Sequence, residues 1–461
     1  MIVQLSKQWT VGALAETVNG ELYGDPAAIA SALTTDSREV TDGAIFVAIR
    51  GENSDGHTYI AKAASMGAAC ILCDRLPEVL PTCPLILAAD SVKAMGLFAK
   101  AYKQQIAPLT VAITGSIGKT TTKEFLGAVL SEHYNTLKTP GNFNNHLGMP
   151  LTMLSLTEAH NCAVLEMGMS ARGEIEYLSK LANPNIAVIT AIGTSHIEHL
   201  GSREGIRDAK MEITMGMEQG GALVLDGDEP LLANVAGAHY VSLANPDAEY
   251  YISNIRQTEA GSIFDLKAGG EVYEGVEIPV IGAHNVKDAT YAVAVGRLAG
   301  MNESEIRRGL MNFRQTGMRQ NLYELGGLWV IEDCYNAAPE SMQASLKVLS
   351  SVAKTKSGRK IAVLGEMREL GSYSPEGHYT VGKAAAREQV DLLFTFGKDA
   401  LNIAKGANEN GLTASQIVSV ESLDTPEALA DAIRNLTVAG DVLLFKASRG
   451  VKLERVIALL K

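Results

Sequence analysis

Residues 109–125 read LTVAITGSIGKTTTKEF. An apolar run closing on two glycines, a lysine and three threonines marks a strand end, a tight turn and the first turn of a helix. Backbone N–H groups in such a turn, backed by a helix N-terminus, form an anion site. Gly115, Ser116, Ile117, Gly118, Lys119, Thr120 and Thr121 are therefore expected to hold phosphate, with Lys119 reaching the terminal phosphates and Thr120 ligating magnesium. The common phosphate-loop spacing would need glycine where Ile113 stands, so the match is incomplete. A plain helix-capping turn, however, leaves the lysine and threonines without a reason. Thr114 also stands where a family of nucleotide switches sharing GKTT carries lysine, which counts against a switch.

Working outward, the apolar runs LTVAIT, CAVLEM, IAVIT and ALVLD alternate with helix-like segments near 119–132, 174–182 and 203–218. That alternation predicts a parallel sheet flanked by helices. A strand-rich stretch follows at about 238–282, then a helix opening at GAHN. Beyond Gly317, LWVIEDC, KIAVLGE, DLLFTFG and DVLLFKA alternate with helical segments in a second α/β unit. Before the phosphate loop, residues 1–89 mix short strands and helices, with a hairpin turn expected at Asn19-Gly20, a strand at 43–49 and helical spacing over 91–102. The reading is an α/β chain in three domains, 1–89, 90–316 and 317–461, with the phosphate site between domains.

At 461 residues with 46% hydrophobic side chains, the chain has ample material for several cores. A net charge of -12 supplies no basic field for nucleic acid or anionic lipid, so an anionic substrate must be held by local groups. The N-terminus lacks the apolar core of a signal peptide, and no apolar run is long enough to span a bilayer. Five cysteines point to the reducing cytoplasm, and Cys70 and Cys73, a C-x-x-C inside an apolar run, read as a buried strand.

A triphosphate site needs a cation, and Glu166, ending CAVLE, is placed to hold magnesium directly or through water. Its alternative is a strand-end carboxylate facing solvent. On ligand hardness His196 in GTSHIEH reads as a loop histidine ahead of a ligand, and Lys210 in DAKMEI as a surface lysine paired with an acid.

The segments GSIGKTTTKE, GNFNNHLGMP, EMGMSARGEIEYL, GTSHIEHLGS, DAKMEI, GAHN, EDCYNAAPESM, LGEMRELG and KASRG occur in that order over nearly the whole chain. Together they resemble the ATP-dependent Mur ligases of bacterial cell-wall synthesis. DCYNAAPESM and LGEMRELG are most similar to members that join D-alanyl-D-alanine to a UDP-muramoyl tripeptide. The resemblance implies a uridine-nucleotide domain, a central P-loop ATPase and a Rossmann-like domain that closes over the site. It implies that Glu166 and His196 serve two magnesium ions and that Lys210 is carbamylated, an anion able to approach the metal pair, reversing the unaided reading of both His196 and Lys210. It assigns Asn285, Asp333 and Asn336 to adenine and ribose, and Arg319 to phosphate. Ser37 and Arg38 fall at the uridine-sugar site, and Asn142, Asn144, Asn145, Ser170 and Arg172 along the sugar-peptide channel. Asp288 stands where the family often has asparagine, and Glu366 where many relatives have aspartate. The implied enzyme is a cytoplasmic monomer using ATP and small-molecule substrates; its rivals are a tripeptide-forming Mur ligase, a folylpolyglutamate-type ligase and a nucleotide switch.

Overall fold

The computed structural model describes residues 2–52 and 54–461 and contains three sheets, one in each of three α/β domains. The first is made of β1 (Val3–Thr10), β2 (Glu21–Tyr23), β3 (Ile29–Thr34), β4 (Ala44–Val47), β5 (Cys70–Cys73) and β6 (Leu85–Leu87), in the order β1-β3-β4-β5-β6-β2. Its four inner strands run parallel. β4 and β5 bury every residue, as strands covered on both faces must. Cys70 and Cys73 are thus core thiols, and burial pushes that of Cys73 up to about 11.

Asn19-Gly20 is not a hairpin turn. The helix Val11–Thr17 ends just before it, Asn19 takes φ 52°, and the chain passes into β2, which pairs with β6. A Cβ on Gly20 would lie 2.4 Å from Ile86 Cγ2, so the glycine serves close strand packing.

The second sheet contains β7 (Leu109–Thr114), β8 (Thr136–Lys138), β9 (Cys162–Glu166), β10 (Ile186–Ile189), β11 (Ala222–Asp226), β12 (His239–Ser242), β13 (Tyr250–Gln257), β14 (Ser262–Ala268) and β15 (Glu271–Ile278). Their order is β15-β14-β13-β12-β11-β10-β7-β9-β8, parallel from β8 to β13 and antiparallel at the far edge. Alternation within β7 explains the helices on both faces. Val111 and Ile113 pack with Phe125, Val286 and Ile306, whereas Ala112 faces Ala94, Met149 and Ile175. The helix Ser91–Ile106 also shares its core with the first sheet, and Tyr102 ties the two together by receiving Ser6 N–H at 2.8 Å and donating to Leu156 O at 3.1 Å.

The third sheet contains β16 (Asn321–Leu325), β17 (Leu328–Asp333), β18 (Lys360–Gly365), β19 (Leu392–Phe396), β20 (Ile417–Val420) and β21 (Val442–Lys446), in the order β16-β17-β21-β18-β19-β20. Only the β16–β17 hairpin is antiparallel; Gly326 and Gly327, both at positive φ, make its two-residue turn. Among the described residues no helix is long and apolar enough to cross a membrane.

Candidate nucleotide and metal cleft

From β7 the chain leaves to β8 and β9 on one side and reaches β10 on the other, so the loops after β7 and β10 diverge and open a crevice. The phosphate loop lies there. Gly115, at φ 153°, could carry no Cβ, because that atom would sit 1.9 Å from Thr190 Oγ1. Gly118, at φ 82°, caps the helix Lys119–Leu130, and its Cβ would meet Asp288 Oδ1 at 2.5 Å. The Thr190 hydroxyl donates to Ile117 O at 2.5 Å and fixes the turn to β10. Lys119 Nζ donates to Gly115 O at 2.7 Å. Burial pushes its ammonium below the ordinary value, Glu166 opposes that, and Arg319 adds to it.

Glu166 is buried at the end of β9 rather than facing solvent. Its Oε2 accepts from Thr120 Oγ1 at 3.1 Å and its Oε1 from Asn144 Nδ2 at 2.9 Å. This pair of hard oxygen ligands beside the phosphate turn fits magnesium. Lys123 backs it: buried, 3.8 Å from Glu166 and 3.2 Å from Glu124, it donates to Gly141 O at 3.3 Å. Glu124 in turn pairs with Lys138. Asn145 Oδ1 receives the N–H groups of Leu147 and Gly148 and so starts the next helix.

His196 follows β10 in a left-handed conformation, φ 64°, with Nδ1 2.6 Å from Glu369 Oε2 of the third domain. Contact with His196 holds the Glu369 carboxyl below its ordinary value. Lys210, on the helix Arg203–Met211, is no surface lysine: it is 1% exposed and ion-pairs with no carboxylate among the described residues. Burial, with the Lys119 cation second, pushes its ammonium well below the ordinary range.

Opposite stands a wall from the third domain. Arg319 lies over the Tyr335 ring at 4.0 Å. Asp333, ending β17, accepts from Lys446 Nζ at 2.6 Å and Ser345 Oγ at 2.7 Å, and Lys446 also donates to Asn336 O at 3.1 Å. Asn285 donates to Ile281 O at 2.7 Å and to Gln320 Oε1 at 2.8 Å, joining the two walls at one end. Between them is a cleft of about 570 Å³, the size of a nucleotide site.

Comparison with known proteins agrees from end to end. Residues 30–134 match the Mur ligase family catalytic domain, 113–296 the Mur ligase middle domain and 318–449 the Mur ligase glutamate ligase domain. The UDP-N-acetylmuramoyl-tripeptide–D-alanyl-D-alanine ligase of Bacillus subtilis is 39% identical over 97% of each chain. This chain belongs to the Mur ligase family. That of Escherichia coli is 32% identical over 98% of each chain. Among solved structures, MurF from Acinetobacter baumannii is 30% identical over 99% of each chain with a TM-score of 0.90. The Thermotoga maritima MurF ligase in complex with ADP is 30% identical, covering 93% of this chain and 96% of that one, with a TM-score of 0.82. A Mycobacterium tuberculosis folylpolyglutamate synthase, 17% identical with a TM-score of 0.62, shares the fold alone.

In this Mur ligase the cleft gathers Ser116 to Thr121, Asn142, Asn144, Asn145, Glu166, Ser170, His196, Asn285, Arg319, Asp333 and Asn336. Gly115 shapes the loop from behind. Lys210 lies buried on the Lys119 side without lining the cleft, and Arg172 is an exposed residue 3.7 Å from Asp208. Ser37 and Arg38 are in the first domain after β3, where Asp36 grips the Arg38 guanidinium at 2.6 Å. Glu366 stays within its own domain, pairing with Arg368 at 2.9 Å. Lys123 and Lys446 were not foreseen. Lys123 was legible as the residue four on from Lys119, hence on the same helix face, whereas Lys446 was visible only as a lysine closing a strand.

Proposed function

We propose that this Mur ligase uses ATP to join D-alanyl-D-alanine to UDP-N-acetylmuramoyl tripeptide, giving the pentapeptide precursor of peptidoglycan with ADP and phosphate. The observation that carries the reading is the match over 97% of each chain to a ligase of that name, at 39% identity, in a chain whose phosphate loop faces a third-domain wall. We assign residues 1–89 to the uridine nucleotide, 90–316 to ATP, and 317–461 to closure and the dipeptide. We take the enzyme to act in the cytoplasm as a monomer; one chain supplies both walls of the cleft, so the site needs no second copy.

A carboxylate is a poor electrophile, so the reaction runs in two displacements. One tripeptide carboxylate oxygen attacks the γ-phosphorus, the bond to ADP breaks, and an acyl phosphate forms. The dipeptide amine then attacks the acyl carbon, a C–N bond forms, phosphate leaves with the transferred oxygen, and the amine sheds a proton. Lys119 exchanges the Gly115 carbonyl for the triphosphate, and Arg319 faces it from the third domain; both neutralise charge that grows as two anions meet. Thr120 and Glu166 would hold one magnesium and His196 would serve a second; when bound, these ions would supply positive charge to the phosphate oxygens. Lys210 suits carbamylation. Burial favours its neutral amine, which would add CO2 with loss of a proton and become an anion beside the Lys119 cation, on the side from which it could approach the metal pair. Asn285, Asp333 and Asn336 take adenine and ribose. Asn142, Asn144, Asn145, Ser170 and Arg172 lead the sugar-peptide from Ser37 and Arg38 toward the phosphate loop. Closing the third domain keeps water from the acyl phosphate.

The test offers the purified chain ATP, magnesium and UDP-muramoyl tripeptide with either D-alanyl-D-alanine or single amino acids. Pentapeptide formed only with the dipeptide, and 18O passing from labelled tripeptide carboxylate into phosphate, are expected. Ligation of glutamate or diaminopimelate instead, or unlabelled phosphate, would overturn the reading.

A further inference from the structure

The loop after β10 is gripped from the third domain at three points. Glu340, at the start of the helix Pro339–Lys356, accepts from Thr194 Oγ1 at 3.3 Å. Glu369 Oε2 lies 2.6 Å from His196 Nδ1. Gly371 packs so near Glu198 that a Cβ there would come within 3.0 Å of its side chain. The middle contact alone of these three falls on a side chain that lines the nucleotide cleft.

It is also built unusually. His196 at φ 64° and Glu369 at φ 62° both hold a left-handed backbone that non-glycine residues seldom adopt, and each turns its side chain toward the other. An ordinary surface ion pair would not need this. The Nδ1 atom is buried and faces the carboxylate at 2.6 Å, its ion-pair partner among the described residues, although the two are not aligned as a hydrogen bond in this structure. With Nδ1 turned to the carboxylate, Nε2 is the nitrogen left for a ligand. A metal-bound histidine commonly gives its other ring N–H to a carboxylate, which fixes tautomer and ring orientation. Here that carboxylate comes from another domain.

We propose that Glu369 is a positioning residue for His196, delivering a carboxylate to Nδ1 on domain closure so that Nε2 holds the second magnesium. The inference rests on the reading of His196 as a ligand of that ion. Because the carboxylate arrives with the third domain, tight binding of the second ion and closure favour each other to the same extent, as linkage requires. The first ion, at Thr120 and Glu166, has both ligands within the central domain and is indifferent to Glu369.

The experiment titrates the full-length chain, saturated with ADP, with Mn2+ and follows free Mn2+ by electron paramagnetic resonance. Wild type is expected to take up two ions. His196→Ala and Glu369→Ala should each weaken the second by about tenfold or more while leaving the first unchanged. Glu369→Gln, whose amide oxygen still accepts from Nδ1, should fall between wild type and Glu369→Ala. The double variant should bind no more weakly than His196→Ala, since Glu369 acts through the ring. The Glu369 side chain is 53% exposed, so the two single Glu369 variants should melt with wild type. Weakening in His196→Ala but not in Glu369→Ala overturns the inference and leaves the histidine a ligand. Additive losses in the double variant also overturn it. Two-ion binding by His196→Ala at wild-type strength removes the ligand reading and this inference together.

Discussion

The two walls of the cleft are made by different means. The central-domain wall is a contiguous turn whose backbone donors are fixed by close packing: Thr190 against Gly115, Asp288 against Gly118, and the Thr190 hydroxyl on Ile117 O. The third-domain wall is a set of side chains whose charges are met within the domain, Lys446 by the Asp333 carboxylate and Arg319 by the face of the Tyr335 ring. A preorganised wall serves charge that develops during phosphoryl transfer, and a self-satisfied wall can travel with its domain without exposing bare charge. The lysines expose the contrast: among the described residues the Lys119 ammonium bonds only to its own loop carbonyl, while Lys446 is half of a buried ion pair.

Removing each lysine should separate the roles. Lys119→Ala is expected to lower turnover on the order of 10³-fold or more, with unfolding by urea unchanged, because it takes away a phosphate ligand and leaves no charge orphaned. Near-normal ligation by that variant would end the phosphate assignment. Lys446→Met should do the opposite first. It strands the Asp333 carboxylate in a buried site and should cost about 3 kcal/mol of stability, read as a lowered urea midpoint. Equal midpoints for Lys446→Met and wild type would show that the third-domain wall is not self-satisfied. Lys210→Ala sharpens the central wall further: about 100-fold lower turnover is expected, with part regained on adding acetate or formate. Absence of rescue, with wild type fully active in bicarbonate-free buffer, would count against a carbamate.

The same contrast governs what could be read beforehand. The phosphate loop and parallel strands were legible because motif and period-2 alternation are local, and Glu166 fell at a strand end that the apolar run CAVL announces. Lys210 was not. Its helix, REGIRDAKM, does bring Lys210 round to the face of Ile206, four residues earlier, but a lysine is by default taken as exposed, and a helix this polar gives little sign that the face is fully buried. Pairs such as Lys446 with Asp333, 113 residues apart, and Glu369 with His196 depend on topology and domain placement, which no window of sequence contains. Asn19-Gly20 failed for a simpler reason: a dipeptide that favours a hairpin also suits a helix exit, and strand pairing decided between them.

The smallest effect concerns Asp288, which presses on the phosphate turn at Gly118. Burial pushes its carboxyl up to about 8; the Thr122 hydroxyl and Lys287 oppose this, and Asp226 adds to it. The unfolded chain loses this proton near 3.8, so between roughly pH 4 and 8 the folded state binds a proton that the unfolded state does not. The contribution is therefore favourable below pH 4 and is lost as pH rises through the folded value. With a pKa of about 8, Asp288 keeps its proton at neutral pH and presents one donor and one acceptor, as the amide of asparagine does, so it would add no anion beside a triphosphate held at Gly118. Asp288→Asn cannot ionise, so relative to wild type it should gain on the order of 1 kcal/mol or more of stability by pH 8.5 and nothing near pH 4. Its KM for ATP should stay level where that of wild type climbs above pH 8. Parallel stability curves for the two proteins from pH 5 to 8.5 would mean that Asp288 is ionised throughout, and that the central wall tolerates an anion at Gly118 after all.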